Sequence, residues 1–360
     1  MKIAIYSPYL DTFGGGEKYM MTIAEVLSRG NTVEVLLDGH LNQLGGEYLR
    51  LELSKRFDLN LKQTSFIKAP IGKNASPLSR SLFLKQYNLL FYLTDGSIFY
   101  PTSKKNILHI QTPLAGEARR SIWGKFKLTG WDLIIYNSQF TKQYSEKNWP
   151  IKSEVVYPPI DVGKIKPLTK KKYILSVGRF FGYLKGKKQE LLIKVFRNLH
   201  NDKLMKDWSL HLVGSAGKGD KDYLDELKNE AKGVPINFYP NLGYDNFVKL
   251  YGESSIYWHA AGFGEGDPVK MEHFGISTVE AMAAGCVPVV INKGGQREIV
   301  EQGKSGFRWD SISQLKKFTL ELIKDQVKRK KIAEGTINRA KQFSKDKFTQ
   351  NIRRIVNENK

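Results

Sequence analysis

The chain has 360 residues, 41% of them hydrophobic and 12% aromatic, with 57 Lys or Arg against 36 Asp or Glu for a formal net charge of +21. That apolar content supports true cores and excludes disordered, collagen-like and fibrous classes, and the length favours two domains over one. A lone cysteine, Cys286, cannot close an internal disulfide, and no run approaches the ~18 apolar residues of a membrane-spanning helix.

Met1–Pro8 reads as a first strand and not as a signal peptide, so the expected location is cytoplasmic. The positive balance bears on partners: nucleic acid, an anionic membrane surface, phosphate-rich substrates, or simply a lysine-rich organism.

Two Rossmann-like α/β halves are predicted. In the first, Lys2–Ser7 is a strand that stops at the turn Gly14–Gly16. A helix follows over Glu17–Leu27, with Met20, Ile23, Ala24 and Leu27 on one face. Thr32–Leu37, Leu89–Leu93, Asn106–Ile110, Leu133–Tyr136 and Glu154–Val156 are further strands, while Leu41–Ser81 has too little periodicity to place. Tyr157–Asp161, with Pro158 and Pro159, closes the half, and Lys164–Lys172 reads as a basic linker. In the second half, Tyr173–Val177, Ser209–Val213, Pro235–Phe238, Ser255–His259 and Val287–Ile291 are strands. Gln189–Leu199, Lys221–Lys232 and Gly275–Ala284 are helices, and Ile312–Lys330, Ile332–Phe343 and Lys347–Val356 are closing helical segments.

Such alternation predicts mostly parallel sheets covered on both faces. The expected division is 1–160, a linker over 161–172, 173–344, and a final helix over 345–360. Two such units set a cleft between the C-terminal edges of their sheets, and the functional residues belong in the loops that leave those strands.

The unusual residues fall in such loops. Gly14–Gly16 lets backbone approach an anion ahead of a helix, but Tyr19 breaks the dinucleotide pattern G-x-G-x-x-G, and an ordinary tight turn fits equally. Between Lys164 and Lys188 there are nine Lys or Arg and no acid. Of these, Arg179 and Lys187 are placed to clamp a diphosphate, and Lys164–Lys172 reads as a solvated linker face. A Gly/aromatic loop then leads through Glu272 into a helix that starts at Gly275-Ile276-Ser277, whose unpaired amides favour an anion. Glu280, one turn further on, suits the two hydroxyls of a ribose, and Glu272 a sugar hydroxyl or a helix cap. His109 ends its strand and either faces the cleft or is a satisfied sheet histidine. Gly214–Gly219 lacks the final Ser/Thr of a phosphate loop, and no C-x-x-C, H-E-x-x-H or His/Asp cluster has metal spacing, so no metal site is expected. Within Glu117–Lys127, Arg119, Arg120, Lys125 and Lys127 interleave with Ile122, Trp123 and Phe126. That pattern fits a membrane interface or an ordinary amphipathic helix.

Taken together these blocks resemble a known family. The E-x7-E spacing from Glu272 to Glu280, inside "EHFGISTVEAMAAGCVPVV", is similar to the donor-sugar motif of retaining GT-B glycosyltransferases, specifically glycosyltransferase family 4. "SVGRF", "KKQELLI", "NSQFT", "VYPPIDV", "ILHIQTP" and "GGGEKY" extend the likeness over essentially the whole chain. The resemblance implies a GT-B fold and a retaining transfer of a hexose-type sugar from a UDP- or GDP-sugar to an acceptor hydroxyl. The resemblance also implies that no further cofactor is required.

By position, Arg179 and Lys187, with Lys185 as the competing choice, would hold the diphosphate. Glu280 would hold the ribose and Glu272 the transferred sugar, with Phe274, Gly275, Ile276 and Ser277 contributing amides and Gly15 and Gly16 lying across the cleft. His109, Asn137 and Ser138 fall on the acceptor side, and the last helix would return to the N-terminal domain. Many relatives place the lysine at the position of Leu184; counting back from Leu191-Leu192-Ile193 selects Lys187. The expected acceptor is a carbohydrate or lipid-linked glycan of the cell surface, with peripheral contact to anionic membrane and no specific nucleic acid. Three other readings compete: a GT-B phosphorylase, a glycoside hydrolase using Glu272 and Glu280, and a non-enzymatic basic binding protein.

Overall fold

In the computed structural model the described residues are 1–114 and 121–358. They divide into two compact units, Met1–Pro159 with Asp346–Lys360, and Ile160–Lys345.

The first unit runs β1 (Lys2–Tyr6), α1 (Gly15–Ser28), β2 (Thr32–Leu37), α2 (Gly39–Leu44), α3 (Gly46–Phe57), β3 (Thr64–Lys68), α4 (Pro77–Leu84) and β4 (Leu89–Leu93). It continues with β5 (Lys105–Ile110), α5 (Ile122–Leu128), β6 (Leu133–Tyr136), α6 (Gln139–Ser145) and β7 (Ser153–Val155). Its seven strands are ordered β3-β2-β1-β4-β5-β6-β7, all parallel, with Ile3 opposite Val33 on one side and Leu89 on the other. Strand alternation sends Ile3 and Ile5 into one core and Ala4 and Tyr6 into the core on the opposite face. Burial on both faces explains why these strands read as unbroken apolar runs. The first core is closed by α14 (Lys345–Glu358), which buries Phe348, Ile352, Ile355 and Val356.

The second unit runs β8 (Tyr173–Val177), α7 (Gln189–His200), β9 (Ser209–Gly214), α8 (Lys221–Glu230), β10 (Ile236–Pro240), α9 (Tyr244–Glu253) and β11 (Ile256–His259). After it come α10 (Ile276–Ala283), β12 (Val287–Ile291), α11 (Gln296–Ile299), β13 (Phe307–Trp309), α12 (Ile312–Lys324) and α13 (Gln326–Ala340). The order β10-β9-β8-β11-β12-β13 repeats the doubly wound pattern, again all parallel. The chain passes between units twice, and the two passages adjoin: Ile160 bridges Ser344, and the Lys345 N–H donates to the Ile160 carbonyl at 2.9 Å.

Some elements depart from the sequence reading. The unplaced stretch after Leu41 holds α3, β3 and the start of α4, and α9 and β13 were not anticipated. The closing helices break at Asp325, not near Lys331. Asp325 is extended (φ −108°, ψ 90°) and its carboxylate caps the next helix by accepting the Lys328 N–H at 2.8 Å. Of the Glu117–Lys127 segment, Glu117, Arg119 and Arg120 lie outside the described residues. The rest forms the short α5, which buries only Leu128.

Candidate active site

Strand order in the second unit reverses between β8 and β11, so the loops leaving these neighbours part and open a crevice at the sheet edge. The loop after β8 carries Arg179, Lys185 and Lys187, and the loop after β11 carries Glu265 and Glu272. Lys187 Nζ donates to Glu272 Oε2 at 2.6 Å, and His259, the last residue of β11, approaches the same oxygen through Nε2 at 3.1 Å. Lys187 crosses directly over Gly178, where any Cβ would collide with its side chain, so a glycine is required at the end of β8. Lys188 pairs with Glu265 at 2.6 Å. Lys185, by contrast, points to Glu226 (3.3 Å) and lies over the Tyr223 ring, away from Glu272. The geometry thus brings Lys187 and Glu272 together and leaves Lys185 apart.

Arg179 is exposed, and its backbone is fixed by Gln189 at the start of α7, whose Nε2 donates to the Arg179 carbonyl at 3.0 Å. Tyr223 in turn holds the Gln189 oxygen at 3.2 Å.

Burial disfavours charge on Glu272, but the Lys187 ammonium and the His259 N–H outweigh it and hold the carboxyl well below its usual range. Burial lowers the pKa of His259 despite Glu272, so the ring is neutral, with Nε2–H as donor. His259 Nδ1 is then a buried acceptor without a partner. Both protein bonds to Glu272 fall on Oε2, which leaves Oε1 as an acceptor for hydroxyl groups.

Gly275 precedes α10 at φ +120°, a region that side chains rarely enter, and a Cβ there would also strike the Gln296 amide. The first turn of α10 is pinned by two tyrosines from other elements. Tyr257 OH donates to Ser277 Oγ at 2.9 Å, and the fully buried Tyr251 OH to Glu280 Oε2 at 3.0 Å. Ile276 opens the helix, so its amide and that of Ser277 lack carbonyl partners inside it. Phe274 buries its ring against Phe343 and offers only backbone. Gln296 is fully buried, with neither amide atom hydrogen bonded. His259, Tyr251, Tyr257, Gln189 and Gln296 were not assigned roles from the sequence. Only His259 had a visible signal, ending β11 where His109 stands one residue short of the end of β5.

In the first unit, His109 lies mid-sheet on β5, fully buried and stacked on Tyr19 at 3.9 Å. Nδ1 donates to the Ile135 carbonyl at 3.0 Å, Nε2 has no partner, and burial pushes the pKa down to about 3. Tyr19, the residue that broke the dinucleotide pattern, donates to the Val156 carbonyl at 3.0 Å. Gly15 opens α1, and Gly16 lies against the Gln111 side chain. Ser138 caps α6, and Asn137 Nδ2 donates to the Gln111 carbonyl at 3.0 Å. Among the described residues no group of three or more His, Cys, Asp or Glu side chains is placed to hold a metal ion.

Two doubly wound units with wholly parallel sheets define the GT-B class, and a glycosyltransferase from Rickettsia africae ESF-5 shares the fold. Its TM-score is 0.74 at 18% identity over 99% of this chain and 98% of that one. The glycosyl transferases group 1 model matches residues 160–339, and the chain belongs to that family. One relative is the GDP-Man:Man(3)GlcNAc(2)-PP-Dol alpha-1,2-mannosyltransferase of Dictyostelium discoideum, 25% identical over 62% of this chain and 46% of its own length. The mouse enzyme of the same name is 32% identical over 46% of this chain and 35% of its own. The chain therefore spans less than half the length of these relatives.

Proposed function

We propose that the protein is a retaining glycosyltransferase of family 4 that transfers a hexose from a nucleoside diphosphate sugar to a hydroxyl of a lipid-linked glycan acceptor. The observation that carries this reading is the Lys187–Glu272–His259 cluster set beside the free amides of α10. An ammonium, an exposed guanidinium and a helix start suit a diphosphate. The fixed carboxylates of Glu272, ahead of α10, and Glu280, in its second turn, suit sugar and ribose hydroxyls. The relatives' names favour guanosine diphosphate mannose as donor, with the uridine diphosphate sugars as the comparison.

In this mechanism the leaving diphosphate gains negative charge as the glycosidic bond breaks. Arg179, Lys187 and the amides of Gly275, Ile276 and Ser277 stabilise that charge. One N–H of the Lys187 ammonium stays donated to the Glu272 carboxylate and the others remain to donate to phosphate oxygens. Retention follows when the leaving phosphate takes the acceptor proton on the same face of the sugar. The acceptor is assigned to the first unit, with His109, Asn137 and Ser138 on its side, and Gly15 and Gly16 are kept as a phosphate contact. Neutral His109, buried against Tyr19, does not serve as a base.

Calorimetry with GDP, UDP and ADP and their sugars tests the donor site. One diphosphate should bind selectively. Arg179→Ala and Glu280→Ala each remove a charged hydrogen-bonding partner worth about 1.5–3 kcal/mol, tenfold or more in Kd. Silence across the panel from folded protein would overturn the reading.

A further inference from the structure

The first unit carries a connected apolar face that neither core uses. On α4, Leu78 and Leu82, one turn apart, are 69% and 60% exposed; on α5, Ile122 and Trp123 are 84% and 74% exposed, with Phe126 beside them. The 99–102 loop joins the two helices into one surface. Thr102 Oγ1 donates to the Ser81 carbonyl at 2.6 Å, and the Arg80 guanidinium lies over the Phe99 ring at 4.7 Å. Tyr100 stacks on Phe126 at 4.8 Å. Helices that pack onto a sheet normally turn such side chains inward. Here α5 buries only Leu128 and presents its bulky residues to solvent.

Charge decides what this face meets. The segments 72–114 and 121–131 that build it hold seven Lys or Arg against one acid, Asp95, which already accepts from the Tyr9 hydroxyl at 2.5 Å and the Ser97 N–H at 3.0 Å. Lys85, Lys104 and Lys125 are exposed. The acid that follows, Asp132, is already engaged by Lys105 at 3.9 Å and by the Asn106 N–H at 2.8 Å. An open groove of about 550 Å³ runs beside α5 with Lys125, Lys152 and the Lys105-paired Asp132 in its lining, room for a phosphate headgroup. Tryptophan and phenylalanine rings flanked by lysines favour the boundary between acyl chains and anionic headgroups.

We propose that the α4–α5 face docks on an anionic lipid bilayer, inserting Ile122, Trp123 and Phe126 while the surrounding lysines neutralise lipid phosphate. The docking is a property of the first unit and stands apart from donor binding by the second.

Trp123 supplies the test without a label, because the other five tryptophans are buried. The full chain is mixed with vesicles of phosphatidylglycerol and phosphatidylcholine in equal amounts, and with phosphatidylcholine alone. Binding is followed by co-sedimentation and by the tryptophan emission maximum. The proposal expects pelleting with the anionic vesicles, a blue shift, and weakening as salt rises. A Trp123→Ser, Phe126→Ser double variant should partition at least tenfold less, and Lys125→Glu several-fold less. Val327→Ser, at an exposed apolar site of the second unit, should match the parent.

Thermal melting and GDP and UDP calorimetry on the same samples separate the outcomes. Lost vesicle binding with unchanged melting and nucleotide response supports the proposal, whatever the donor result. Equal pelleting of parent and double variant overturns it. So does a dimer in sedimentation velocity that Trp123→Ser dissociates while no variant pellets with vesicles; that outcome assigns the face to a second copy of this chain.

Discussion

Glu272 gathers an ammonium and an imidazole N–H on one oxygen, so its position is fixed before any ligand arrives. Glu272→Gln keeps the shape and loses the charge. If the carboxylate grips the transferred sugar, kcat/KM should fall at least a hundredfold, about 2.7 kcal/mol, with unchanged thermal melting. Unaltered turnover would remove Glu272 from that role. His109 makes a separate prediction about pH. Its folded pKa of about 3 lies below the ordinary 6.5, so the neutral ring contributes stability in full above pH 6.5. That contribution drains away as pH falls toward 3. Urea unfolding across this window should show a flatter acid limb in His109→Gln, and the pH–rate profile should carry no inflection near 6.5 from this ring. Gln296 gives the inverse case: two buried amide atoms lack partners, and such a group costs about 1–3 kcal/mol. Gln296→Met, of similar shape, should raise the melting point of the unliganded protein.

At the level of elements, α14 belongs to the first core although it ends the chain. Ile352→Ala should cost about 2–5 kcal/mol in the unfolding transition of the first unit, read by denaturant titration, while nucleotide binding by the second unit is unmoved. Strands such as β1, β4 and β12 were plain in the sequence because burial on both faces leaves unbroken apolar runs. The α3 helix was not, because Tyr48 and Leu51 are exposed and blur its stripe. The three-residue β13 is too short to show a period, and the Asp325 break depends on a cap whose geometry no pattern displays. The same division holds for the candidate site. Arg179, Glu272 and Glu280 were legible as charges at strand ends and a helix start. His259, Tyr251 and Gln296 come from separate stretches of chain and acquire their places only through tertiary contact. Lys187, by contrast, was already selected over Lys185 by its distance from Leu191-Leu192-Ile193, and the fold adds its pairing with Glu272.

Across the whole molecule, the two parallel-sheet units share the order of six strands, with a seventh at the edge of the first, but the first unit is discontinuous and the second is a single stretch, Ile160–Lys345. Both chain ends therefore lie in the first unit, and the second hangs from two adjoining passages held by the Ile160–Ser344 bridge. A mechanical load applied to the two ends has to travel through the first unit and bypasses the second. Stretching single molecules between tethered termini should give two ruptures in fixed sequence. Residues 1–159 and 346–360 would lengthen first, whichever unit is the more stable in urea, and the inserted unit would bear tension only after its host has opened.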